Sequence, residues 1–350
     1  MVEIDTGGRI DVVKTEFTSS IRTACNSYGR WRCVGAVVLL LAWSVRAQNL
    51  FVSAFPENVY EITPNGTVST FASGLDTANG LAFNSEGDLI VSDDSSHIYK
   101  FTPGGVQSTF ASEPDPRGLA FDSAGNLFVA DYGGNCVYEY TTGGVRSTFA
   151  SGLSHPSAVA FDKLGNLFVA DLGSGNIYKY TPGGTRSTFA SGMSGPWSMA
   201  FNSSGELFVA NTDSSTVTKV TPEGAKSTFA YFSPYVVPAG VAFDGADNLF
   251  VGASGAVYKY TPAGVKSTVA SGFEAGVLAF EPVPKLQAVG TNGVFLLTIS
   301  MPSPYHSTVL QASTDMMNWA SVYTNTPPFA FTDLTMTVSV QCFYRALLGP

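Results

Sequence analysis

One unit of about 40 residues recurs along most of this chain. Its clearest copies are Gly118–Ala150 (GLAFDSAGNLFVADYGGNCVYEYTTGGVRSTFA) and Ala158–Ala190 (AVAFDKLGNLFVADLGSGNIYKYTPGGTRSTFA). The Phe of the closing S-T-F-A falls at 71, 110, 149, 189 and 229, and Val269 takes the sixth place. Each copy reads as four short apolar strands separated by turn signals. A unit this small cannot bury its faces alone, so neighbouring copies must stack. Four strands per unit at this period specify a β-propeller.

The strands can be read one by one. The first is short and built from small residues, as in Gly80–Phe83, Gly118–Phe121, Ala158–Phe161, Ser198–Phe201 and Gly240–Phe243. Small residues suit strands that converge on a central channel. An Asx residue then opens a turn (Asn84, Asp122, Asp162, Asn202) that a Gly closes three positions later. That pattern makes these carboxylates turn builders, with Gly supplying positive φ. The second strand is a continuous apolar run such as Leu127–Asp131, as expected of a strand covered on both faces. Its closing Asp or Asn (Asp93, Asp131, Asp171, Asn211) recurs at one blade position and is read as a loop cap. Third strands are Ile98–Thr102, Val137–Thr141 and Ile177–Thr181, followed by Thr-Pro-Gly-Gly at 102–105 and 181–184, read as a type II turn. The outer strand opens with Gln107, Arg146, Arg186, Lys226 or Lys266, charges that discourage edge-to-edge pairing.

Counting fixes the closure. Second strands occur six times, at Leu50, Leu89, Leu127, Leu167, Leu207 and Leu249. The first copy has no inner strand ahead of it, whereas Gly276–Phe280 is an inner strand with no partners after it. The expected architecture is an all-β, six-bladed propeller in which this C-terminal strand completes the first blade. The expected divisions are a leader over 1–47, the propeller over 48–284 and a small all-β C-terminal module over 285–350.

The leader reads as a signal peptide. Arg30 and Arg32 precede a twelve-residue apolar stretch, Val34–Val45, and Ala47 offers a small residue at the cleavage point. As a helix that stretch spans only ~18 Å, too short for a bilayer core of ~30 Å. The expected location is therefore secreted, periplasmic or cell-surface in a bacterium, with no membrane span after cleavage. The whole chain has a formal charge of −9, and removing residues 1–47 leaves 12 basic and 23 acidic residues. No basic run survives to track a phosphate backbone, so a nucleic-acid partner is not expected. Of four cysteines, Cys136 and Cys342 lie beyond the leader, neither in a C-x-x-C, and free thiols are expected. In the tail, strand-like runs are read at Val294–Ser300, Thr308–Gln311, Phe329–Phe331 and Val338–Leu347. Its Leu310–Trp319 and Cys342–Arg345 segments resemble a module found at the end of exported bacterial proteins.

The unit G-L-A-F-D-x-x-G-N-L-F-V-A-D…I-Y-K resembles the NHL repeat and, more broadly, the SMP-30/gluconolactonase and streptogramin-lyase propellers. The resemblance covers Leu50 to Val283 and implies a six-bladed ring. Its functional implications diverge, because such propellers include lactonases, lyases, sensors and protein-binding rings. Gluconolactonase resemblance implies a divalent cation held by a Glu, an Asn and an Asp. Asn79-Gly80-Leu81 matches the Asn motif, Glu274 is a loose match for the Glu, and the nearest Asp, Asp115, is displaced by two residues. The reading is accordingly no metal and no cofactor. Lyase resemblance implies a His-based acid/base set, for which His155 is the suitably placed loop residue.

Loops entering the inner strand and loops leaving the second strand share one face, and these loops vary most: 112–117, 191–197 and 231–238. Variable loops on a repetitive scaffold are where function concentrates. Arg117, Tyr132, His155, Trp197 and Tyr235, together with Asn79, are the candidate ligand-binding residues at this channel mouth. The leading expectation is a non-catalytic exported propeller that binds a small molecule, carbohydrate, peptide or protein there. The alternative is a lactone hydrolase or lyase at the same mouth.

Overall fold

In the computed structural model, side chains are described for residues 48–282. Backbone strands are also described at Val2–Ile4 and Ile10–Val12, which pair with each other, and at six segments of the tail. Residues 48–282 form six four-stranded antiparallel sheets arranged as a ring. Five blades take their strands in sequence order, beginning at Ala78, Pro116, Pro156, Pro196 and Pro238. The first blade is composite: Ala275–Phe280 pairs with Leu50–Ala54, and Asn58–Ile62 and Val68–Ala72 follow. The register sets Leu278 opposite Val52 and Phe280 opposite Leu50, and each inner strand packs on the inner strand of the next blade. The tail carries two three-stranded sheets, of Lys285–Thr291, Val294–Ser300 and Phe329–Asp333, and of Ala320–Asn325, Thr308–Ser313 and Phe343–Leu348. The strands at 285–291 and 320–325 are additions to the sequence reading. Residues 5–9 and 13–47, on which the leader reading falls, and the segments 314–319 and 338–342 lie outside the described residues.

The repeat pattern becomes packing at the interfaces between blades. Among the described residues there are six apolar clusters, one between each neighbouring pair of blades. Three phenylalanines recur in four of them. One comes from the second strand, one from the S-T-F-A outer strand of the same blade, and one from the inner strand of the next blade. Phe168 meets Phe189 at 4.9 Å and Phe201 at 4.8 Å, both edge to face. Phe51, Phe128 and Phe208 hold equivalent partners. Each such pair adds about 0.5–1.5 kcal/mol beyond its buried area.

A plain strand would point the outer Phe and the following Ala to opposite sides. The ladder avoids this with a bulge. Ile177 pairs with Ala190 but Tyr178 pairs with Thr188, which leaves Phe189 unpaired. The same slip frees Phe71, Phe110, Phe149, Phe229 and Val269. A bulge re-aims the side chain it frees, so the S-T-F-A signature encodes a bulge as well as a strand.

The turns follow the sequence reading with one correction. In Thr102–Gly105 the second glycine carries the positive φ (78°), and Gly184 does the same (79°). These are therefore type I turns closed by a left-handed glycine, because a type II turn would place positive φ one residue earlier. The Asx turns form as read. Asp162 Oδ1 accepts from the N–H groups of Leu164 and Asn166, and its Oδ2 from Asn166 Nδ2. The outer basic residues lie along the exposed edge, and several stack on a third-strand tyrosine: Arg146 on Tyr138 at 3.8 Å and Arg186 on Tyr178 at 3.6 Å.

Two outcomes test this packing. Phe168→Ala should lower stability by about 3–5 kcal/mol in denaturant unfolding, the usual cost of emptying a buried aromatic site. A chain ending before Gly276 should melt well below one ending after Pro284. Equal melting of the two truncations would contradict closure by the 275–280 strand.

Candidate functional site

Five inner strands start two residues before the apolar pattern suggests and the sixth one residue before, and all open with a second bulge. Pro196 pairs with Asn211, yet Ser198 pairs with Ala210, so Trp197 is skipped. The equivalent residues are Asn79, Arg117, Ser157, Ala239 and Gly276. Six re-aimed positions therefore encircle the loop end of the channel. Close convergence of the strands explains the glycines beside them. A Cβ on Gly118 would lie 2.5 Å from the Ala158 Cα.

Arg117 is the hub of this ring. Its Nε donates to Asp115 Oδ1 at 3.0 Å, its Nη1 to Asn79 Oδ1 at 3.0 Å, and its Nη2 lies 3.4 Å from Asp94 Oδ1. Asn79, itself buried, donates through Nδ2 to the same Asp94 oxygen at 2.5 Å. The guanidinium carbon sits 4.9 Å from the Tyr132 ring centroid and 5.3 Å from that of Trp197. Tyr132 in turn meets the His155 ring at 4.7 Å, tilted by 47°. His155 is exposed, has a φ of 58°, and its backbone N–H donates to Asn135 Oδ1. Five of the six residues singled out from sequence thus form one contiguous cluster. Tyr235 stands outside it, in the long 231–238 loop and 91% exposed.

The residue that sequence reasoning passed over is Asp94. It occupies the position after the second strand that holds Tyr132 in the next blade, and the doubled Asp93-Asp94 was its visible signal. The first of that pair is a cap, as read. Asp93 Oδ1 accepts from Ser95 N and Oγ, and Asp171 accepts from Ser154 N and Ser174 Oγ.

The cation implied by the gluconolactonase resemblance can be weighed against this geometry. The Asn79 oxygen that would ligate an ion is bonded to a guanidinium, and Asp115 is bonded to the same group. Glu274 is exposed, and its backbone carbonyl accepts from Phe55 N. A hard cation needs several convergent oxygens that are not already neutralised by a fixed positive charge. These residues do not fit a divalent ion. Among the described residues, no three His, Cys, Asp or Glu side chains converge as a metal site.

Beneath the mouth lies a second unusual group. At the position where other blades bury Leu75, Leu153 or Met193, the third blade receives Glu113 with a fully buried side chain. Tyr140 Oη donates to its Oε1, Arg146 Nε lies 3.1 Å from the same oxygen, and Oε2 has no partner among the described residues. Burial pushes the Glu113 carboxyl above its ordinary range, against the pull of Tyr140 and Arg146. Asp131 is raised the same way, and its Oδ2 is also unpartnered. Cys136 nearby is a buried free thiol, likewise pushed up by burial.

Fold and mouth together define a six-bladed β-propeller with one loop-built face. Residues 46–173 match the model of the SMP-30/Gluconolactonase/LRE-like region, to which this stretch of the propeller is similar. Comparison with curated protein sequences gives no match. Among similar solved structures, a gluconolactonase from Xanthomonas campestris aligns with a TM-score of 0.54 at 15% identity, over 72% of this chain and 95% of that one. Virginiamycin B lyase from Staphylococcus aureus gives 0.53 at 13%, over 73% and 92%. An auxiliary nutrient binding protein from Bacteroides ovatus gives 0.52 at 15%, over 63% and 67%. At such identities these structures share the fold.

The buried acids set the sign of a pH effect. A carboxyl raised in the folded state holds its proton there more tightly than in the unfolded chain, so its stabilising contribution is complete below about 4.5 and fades as pH rises through the raised value. Thermal melts should therefore show stability falling as pH climbs from the mid-acid range toward neutral. Glu113→Gln should flatten that slope, leaving the part due to Asp131 and Glu61, whose carboxyls burial also raises.

Proposed function

We propose that this chain is an exported, non-catalytic propeller that binds a carbohydrate or peptide at its channel mouth. The observation that carries the reading is the Arg117 cluster, a cation fixed by Asn79, Asp94 and Asp115 and bordered by the rings of Tyr132 and Trp197. Such a platform offers ring edges and faces for apolar CH surfaces, with charged donors and acceptors at their margin. That combination suits a sugar, which alternates apolar faces with hydroxyl edges. Held rotamers also reduce the ordering cost of binding. The polar groups of the cluster are paired with one another, as in a prebuilt recognition surface. A nucleophile–base pair would instead leave a reactive group bonded to a base. Export is supported by the basic, apolar and small-residue segments of the leader.

Titration with a panel of neutral oligosaccharides and short peptides, read by tryptophan emission, tests this. A saturable change is expected that Trp197→Phe removes, while Trp319 in the tail persists as background. Arg117→Ala should weaken binding about tenfold, or ~1.4 kcal/mol, because both rings lose their anchor. A flat emission across the panel, or turnover of a lactone that is lost in His155→Ala, would reverse the assignment in favour of an enzyme.

A further inference from the structure

We infer that the seam between the sixth and first blades holds a second binding site, for a single aromatic ring that carries an anionic group. It lies on the turn face, opposite the mouth.

The argument begins with a missing ring. At four blade interfaces the bulged S-T-F-A phenylalanine packs against a second-strand phenylalanine of its own blade: Phe71 on Phe51, Phe149 on Phe128, Phe189 on Phe168 and Phe229 on Phe208. Three of these rings also reach the end of the third strand in the next blade, at Phe101, Tyr180 and Tyr260. In the sixth blade the bulged residue is Val269. Phe250 there keeps its inner-strand partner, Phe280 at 4.9 Å, but Val269 brings no third ring. The next third strand ends in Ile62, which is smaller than Tyr or Phe.

A cavity of about 270 Å³ opens where that ring would stand. Its walls are Phe250, Phe280, Val269, Leu50 and Ile62, the same set of positions that surround the phenylalanine elsewhere. An apolar cavity of about 150 Å³ suffices for benzene, so this one holds a substituted ring. The repeat itself shows that an aromatic ring is the shape these walls accept.

The rim decides the substituent. Gln48 is occupied, its Oε1 accepting from Gly245 N and its Nε2 donating to the Glu281 carbonyl. Asp244 Oδ1 accepts from Ala246 N and Asn248 N, and its Oδ2 from Asn248 Nδ2. Lys259 is the cation at this rim. Its Nζ lies 3.7 Å from Asp244 Oδ2 and 5.3 Å from the Phe250 centroid. An ammonium has three donors, and a single loose ion pair leaves donors for a ligand carboxylate. A charge-assisted bond there would fix the ring's orientation.

The probes are benzoate and its neutral counterpart benzyl alcohol, titrated into the full chain with binding read by calorimetry and thermal shift. Wild type should bind both saturably, benzoate more tightly. Val269→Phe should melt higher than wild type and bind benzoate at least tenfold more weakly, because it supplies the absent ring. Val269→Leu should weaken binding to a lesser degree and serves if the Phe variant overpacks and does not fold. Lys259→Met should weaken benzoate at least tenfold and leave benzyl alcohol unchanged, and Arg117→Ala at the mouth should alter neither. Wild type that binds neither probe, or binding undiminished in both Val269 variants, overturns the site. Equal loss of both probes in Lys259→Met overturns the anionic assignment.

Discussion

Everything in this molecule depends on one set of backbone hydrogen bonds, those between the 275–280 strand and Leu50–Ala54. A ring of sheets packs each blade between two neighbours, and that arrangement fails wherever a blade lacks one. Without the closing strand, the apolar side of the first blade and the inner edge of its second strand would both face water. With it, every blade has a neighbour on each side and the six clusters form an unbroken circuit. The stability of any one blade is therefore shared with the ends of the propeller, more than 200 residues apart in sequence.

Two bulges per blade convert this repeating scaffold into specific chemistry. The outer one turns a phenylalanine into the interface, where it consolidates the ring. The inner one lifts a residue out of the ladder at the channel mouth, outside the apolar clusters that consolidate the ring. That division explains why the outer position is so uniform along the chain, while the inner one reads Asn, Arg, Ser, Trp, Ala and Gly in turn. Arg117 gains its central place from this geometry. A regular strand would have paired its backbone and fixed the side chain by alternation, away from either Asn79 or Trp197.

Much of this was legible in the sequence. The period, the four strands, the count of six and the closing strand all follow from apolar runs and turn residues, whose physics is local. The candidate residues at the mouth were also visible, because Asn79, Arg117, Tyr132, His155 and Trp197 break the repeat in the loops and strand starts of one face. What could not be read was their partnership. Asp94 becomes part of the site only through a contact with Asn79 and Arg117 across two blades, and no local pattern specifies that. Glu113 was hidden for a similar reason: its burial follows from alignment with Leu75 and Leu153 on other blades. The turn type was missed because two adjacent glycines can each carry positive φ, and only the bulged hairpin decides which one does.

The place where the ring is sewn shut has a further consequence. Glu281 N donates to the Asn49 carbonyl at 3.0 Å, the same bond that closes an Asx turn in the other blades, as from Asp122 N to the Asn126 carbonyl. The first blade thus has an ordinary hairpin with its covalent link cut, and both ends of the propeller emerge there, side by side on the turn face. Any anchor attached through either end would hold the cup by its base. The mouth with Arg117 and Trp197 would then face away from that anchor.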